Sequence, residues 1–122
     1  MAEWTEPARG GAPGAAPAGG ENWAGELEAM MQFAEGGIVS KSLVDRHKLV
    51  NISLFMMATG ETMSSHAASR PATIHVLGGE GKITIGDKTY DSKRGSFFYM
   101  PAGQPHALES TDKMVFLLYL LG

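Results

Sequence analysis

Gly95-Ser-Phe-Phe-Tyr-Met-Pro101-Ala-Gly103-Gln-Pro-His106 is the stretch on which the fold turns. An apolar run of strand length is stopped by a proline, which lacks the N–H that a ladder needs. A glycine two residues on supplies a turn conformation that residues with a Cβ avoid. An imidazole follows. Upstream, Gly60-Glu-Thr-Met-Ser-Ser-His66 also runs from a glycine to an imidazole. It is followed by the strand pattern Thr73-Ile-His-Val-Leu77 and by Gly78-Gly79-Glu80-Gly81. A barrel that brings the two units together would aim His66 and His106 into one cavity.

The rest of the chain supports a barrel. From Gly37 onward the hydrophobic period is two, the period of a strand. Strands are expected over Gly37–Val44, Leu49–Met57, Thr73–Leu77, Ser96–Met100 and Met114–Leu121. In the second of these, Val50, Ile52, Leu54 and Met56 fall on one face, with Asn51 and Ser53 on the other. Lys82–Tyr90 reads as a hairpin around Gly86-Asp87. Asp45–Lys48, which holds His47, and Ser110–Lys113 read as polar turns. Short strands at regular spacing with glycine turns suggest a sandwich or barrel, and no helix separates them as a parallel α/β sheet would require.

The N-terminal third reads differently. Residues 1–20, rich in Gly, Ala and Pro, cannot bury enough apolar area to offset their ordering entropy and are expected to be a disordered tail. Trp4 is the one residue there able to dock. A helix is expected over residues 21–36: Asn22 is an acceptable N-cap, Trp23, Leu27, Met30 or Met31, and Ala34 recur at helical spacing, and Gly36-Gly37 ends it. Its apolar stripe would pack on the sheet or on a second subunit. Residues 37–122 are left as the barrel domain.

Composition removes several classes. There is no cysteine, which excludes disulfides, thiolate catalysis and Cys-ligated zinc. A formal charge of −3 with no basic block gives no footprint for nucleic acid. The longest apolar run, Met114–Leu121, is far shorter than the roughly 20 residues of a membrane-spanning helix. The start of the chain is acidic and is not followed by the apolar stretch of a signal peptide, so a cytoplasmic location is expected.

These residues resemble the cupin superfamily. Its first motif is a Gly, five residues, His, one residue, His, three or four residues, Glu, six residues and Gly. Gly60, His66 and Gly79 fall on that pattern, with Ala68 where the second His belongs and Ala72 where the Glu belongs. Its second motif is a Gly, five residues, Pro, one residue, Gly, two residues, His, three residues and Asn. Gly95, Pro101, Gly103 and His106 match, and Ser110 replaces the Asn. Val76–Gly81 looks like the family's strand-turn between its two sheets. The resemblance covers about residues 37–121. It implies an all-β fold, an antiparallel double-stranded β-helix or jelly-roll barrel. It also implies a metal site of three His and one Glu, of which two positions are alanine here, and a tendency to form homodimers.

Two imidazoles alone hold a metal weakly, since structural zinc takes four ligands and catalytic zinc three. His75 is the nearest third candidate, but alternation sets it on the face opposite Ala72 unless a bulge turns it inward. Met56 and Tyr99 are candidate cavity liners, with core packing as the alternative. Arg70 is a candidate for meeting an anionic ligand at the mouth, with a solvated loop arginine as the alternative. The resemblance therefore suggests a divalent transition metal (Fe, Mn, Ni or Zn) on His66, His106 and His75, serving oxygenase, isomerase or lyase chemistry on a small organic substrate. A metal-free small-molecule binder and a non-catalytic structural dimer are the rival readings.

Overall fold

A computed structural model describes residues 22–122, so the expectations for the Gly/Ala/Pro-rich segment and Trp4 lie outside the described residues. One short helix, α1 (Leu27–Met30), precedes seven strands: β1 (Ile38–Asp45), β2 (Val50–Met57), β3 (Thr62–His66), β4 (Ala72–Ile85), β5 (Lys88–Lys93), β6 (Phe97–Met100) and β7 (His106–Leu121). Every pairing is antiparallel. Among the described residues no helix is long and apolar enough to cross a membrane.

The strands run in the order β1-β2-β7-β4-β5, with β3 added on β7 and β6 on β4. Two long strands make this possible. β4 has 14 residues and β7 has 16, and they pair along almost their whole length. The first part of β4 lies between β6 and the second half of β7. The last part of β4 lies between β5 and the first half of β7. The ribbon is thus folded on itself into two layers, a jelly roll with one core between them. That core joins Ile74, Val76 and Phe116 of one layer to Ile83 and Leu108 of the other.

The fold occurs where the sequence suggested two turns. Gly78–Gly81 and Ser110–Lys113 are not breaks but bulged parts of continuous strands, with register shifts at Val76/Gly78, Gly78/Glu80 and Glu80/Gly81. Extra residues unpaired on one strand sharpen its bend. Gly79 adopts φ +72°, and Lys113 opposite it has φ +36°. Both ends of each long strand therefore meet at the far, open end of the barrel.

A second apolar cluster covers the outer face of the β1-β2-β7 layer, with Leu54, Met56, Val115 and Leu117 under Met30 and Leu43. Trp23, Leu27, Met31 and Phe33 pack against it. The helix expected over 21–36 contracts to four residues. Its start has no side-chain cap, and backbone at Met31 is already extended (φ −69°, ψ 131°). So short a helix gains little from its own hydrogen bonds. Extended backbone instead turns both Met31 and Phe33 toward the sheet, with Gln32 outward. A helical stripe would have left Phe33 off the apolar face.

Candidate functional site

His66 and His106 come together through a bulge. β3 pairs with β7 as Thr62↔Glu109 and Met63↔Leu108, then shifts register to set His66 opposite His106. Met63 packs against the core. Simple alternation from Met63 would turn His66 outward, and the extra residue reverses it. Ile85 pairs with His106 from the other side. Ala72, 1% exposed, lies in the core at this same open end, paired with Met100 and Leu120.

The two rings approach edge to face, with centroids 4.3 Å apart and planes at 64°. Nδ1 of His66 donates to the Ser64 carbonyl at 2.9 Å, and Nδ1 of His106 donates to the Gln104 carbonyl at 3.2 Å. A carbonyl can only accept, so each Nδ1 carries the proton. In its neutral form such a ring leaves the Nε2 lone pair unused by the backbone. The pair is oriented by its own local chain, as ligating histidines are by a second partner.

The environments differ. His106 is buried, 6% exposed, whereas His66 is open to solvent. Burial holds the His106 imidazole below its ordinary value; the Gln104 carbonyl opposes this, and nearby His66 adds to the lowering. The sign for stability follows. Above the unfolded imidazole value of about 6.5 neither state is charged. As pH falls through that value the unfolded chain takes up a proton that folded His106 refuses, so stability drops until the folded value is reached. Denaturant melts from pH 7.5 to 5 should show this loss, and His106→Gln should flatten it. An unchanged slope in the variant would refute the assignment.

The space between the layers is filled by Met57, Ile74, Met100, Met114 and Phe116 among others. Among the described residues, three hollows of the surface are lined by other side chains than the two histidines. The pair occupies an open barrel mouth.

The other candidates are placed differently. His75 stands between buried Ile74 and Val76 and so points to the outer face, beside Phe97 and Leu117. No bulge reverses it. Met56 belongs to the outer cluster, not the barrel interior; its neighbour Met57 faces inward. Both faces of β2 are apolar, so alternation alone could not say which one lines the interior. Tyr99 is 54% exposed on the outer face of β6, while Phe98 and Met100 point in.

Arg70 is a clamp, not an anion receptor. Its Nε donates to the Leu121 carbonyl at 3.1 Å, Nη2 to the Leu120 carbonyl at 3.3 Å, and Nη1 to Asn51 Oδ1 at 2.6 Å. Asn51 in turn donates to Asp45 at 2.6 Å. The fork ties the β3–β4 loop to the end of β7. Arg70→Ala should cost about 2 kcal/mol, because charged hydrogen bonds of this kind are lost together. Arg70→Lys should recover only part of it, lacking the planar fork. Equal stability of wild type and R70A in urea would refute the clamp.

Among the described residues no group of three His, Cys, Asp or Glu converges. Two Nε2 atoms are donors of the right kind, but Ala68 and Ala72 supply nothing, and Ala72 is packed in the core. The residues present do not make a resident metal site of three or four protein ligands.

A jelly roll with a histidine pair at its open end defines the class. Residues 53–120 match the family model described as a cupin domain. The chain belongs to the cupin family. It is 30% identical over 96 residues to an uncharacterised protein of Streptomyces coelicolor, covering 77% of this chain and 89% of that one. Its fold is similar to that of a conserved Streptococcus pyogenes protein of unknown function (TM-score 0.74, 25% identity, 88% of this chain and 95% of that one). It is also similar to a cupin superfamily protein of Desulfitobacterium hafniense (TM-score 0.73, 27% identity, 78% and 86%).

Proposed function

We propose that this protein is a small-molecule-binding cupin whose ligand is held directly by His66 and His106 at the barrel mouth, without a resident metal. The carrying observation is the pair of ring contacts: each Nδ1 lies against a backbone carbonyl, of Ser64 and of Gln104, and the rings meet edge to face with centroids 4.3 Å apart, so that in the neutral form each ring would keep Nε2 as an acceptor. A ligand with two hydrogen-bond donors, such as a diol or a hydroxyl-bearing acid, matches two such acceptors. Ala68 and Ala72 add no competing polar group. Buried apolar residues beneath the mouth would meet the ligand's carbon frame.

A second reading uses the same two atoms. A divalent metal, filled out by a chelating substrate, would be bound only as the ternary complex. It is favoured by the close approach of the two rings, with centroids 4.3 Å apart, and would admit the oxygenase, isomerase or lyase chemistry that the fold hosts. Elemental analysis of protein grown in metal-supplemented medium separates the readings. The metal-free reading expects less than stoichiometric metal, unchanged melting in chelator, and imidazole NMR shifts at both histidines when a library of small diols and hydroxy acids is added. Stoichiometric Fe, Mn, Ni or Zn that disappears in His106→Ala would sink it.

A further inference from the structure

A hollow of about 370 Å³ lies beneath the N-terminal arm on the outer face of the sheet, and neither histidine of the pair lines it. Its walls are Leu27 and Met31 of the arm and Leu77 and Val115 of the barrel. Gly78 forms its base, and a Cβ built there would meet nothing within 4 Å. Glu28 and Arg94 stand at its edge. The volume falls within the range of small-molecule sites, and apolar walls with a few polar groups are their usual lining.

Its two charges are uncommitted. Arg94 makes no ion pair or side-chain hydrogen bond with any described residue, and neither does the Glu28 carboxylate. They do not bridge each other. A cation and an anion that pair with no described residue, beside an apolar hollow, complement a ligand that carries both charges and an apolar body. We propose that this hollow binds a small zwitterion, an α-amino acid with an apolar side chain. Arg94 takes the carboxylate, with its planar fork suited to two parallel bonds. Glu28 takes the ammonium, and the side chain enters between Met31 and Val115. This site is independent of the histidine pair.

The arrangement has a consequence for the arm. Backbone hydrogen bonds within residues 26–31 are local, Ala29 to Glu26 and Met31 to Glu28. The arm is held to the sheet by side chains such as Trp23, Met30 and Phe33. A ligand gripping Glu28 on the arm and Arg94 on the barrel fastens the two together.

Calorimetric titration of the full chain with L-leucine, L-methionine and L-phenylalanine tests this. One-to-one binding is expected, with slowed amide exchange across residues 23–33 in the complex. Isovalerate, lacking the ammonium, and isopentylamine, lacking the carboxylate, should bind about tenfold more weakly or worse. Arg94→Ala and Glu28→Gln should each weaken the amino acid by about tenfold or more. Gly78→Val should abolish binding by filling the hollow while leaving the thermal melt intact, since Gly78 needs no positive φ. Absence of heat with all three amino acids at about 10 mM would overturn the proposal. So would isovalerate binding as well as leucine, or Glu28→Gln strengthening the complex.

Discussion

Gly79→Ala should lower stability by about 4 kcal/mol and the melting temperature by about 20 °C, the largest loss expected of any single methyl group added to this chain. Two separate penalties combine. Gly79 has φ +72°, where a Cβ crowds its own carbonyl at a cost of about 1–2 kcal/mol. The new methyl would also strike the backbone carbonyls of Asp112 and Lys113, which belong to the facing bulge of β7. Backbone cannot rotate away as a side-chain end can, so the two long strands would have to separate where the ribbon folds over. Gly60 is the control. It has φ +89° but open space around it, so Gly60→Ala should cost only about 1 kcal/mol. Thermal and urea melts of the two variants measure the difference. Equal losses would mean that the close approach of the strands is not what Gly79 provides.

Ser110→Ala should cost about 3 kcal/mol although it removes a single oxygen. Ser110 is 0% exposed. Its Oγ donates to the Met57 carbonyl at 3.0 Å and accepts from the Met114 N–H at 3.0 Å. Met57 and Met114 face each other at the end of the β2–β7 ladder, and the hydroxyl bridges their backbone groups. With alanine, a buried donor and a buried acceptor both lose their partner where water does not reach, and each costs its own desolvation. The backbone bonds of Ser110 itself, to Glu61 and from Gly60, survive the change. Thr111→Ala, one residue on and exposed, should shift stability by less than about 0.5 kcal/mol. A Ser110→Ala melt that overlays the wild type would show that water satisfies these groups instead.

Ser110 also shows where reading the chain stops. In the second motif it stands in place of Asn, and by composition Ser-Thr-Asp-Lys113 looks like a turn. Polar, turn-forming residues occur both at true hairpins and at bulges inside a strand, because both need backbone groups met by side chains. Only the pairing partner distinguishes them, and here β4 continues alongside. The same holds for Gly78–Gly81. The sharp features were legible: Pro101 ending β6, Gly103 in the following turn and His106 opening β7 lie where the stretch from Gly95 placed them.

The site was legible only in part. Proximity of His66 and His106 followed from their frames, and the register brings them opposite each other. The unequal exposure of the two rings, His66 open and His106 buried, did not follow, since it depends on how side chains from both layers fill the space below. Arg70 illustrates the opposite failure. A loop arginine beside a cavity mouth suggests an anion, yet the last two carbonyls of β7 take Nε and Nη2, and Asn51 of β2 takes Nη1. No local pattern around Arg70 announces residues fifty positions away.

By itself the chain of residues determined the period-two architecture, the turns that require glycine or proline, and the absence of thiol chemistry. These depend on backbone sterics and on atoms each residue carries or lacks, and they act within a few positions. Tertiary structure decided which face of β2 is interior, that two apparent turns are bulges in continuous strands, that the expected helix contracts to one turn, and that among the described residues no third ligand converges on the histidine pair. Those outcomes depend on what packs opposite, and the partners come from distant segments whose registers shift at the bulges.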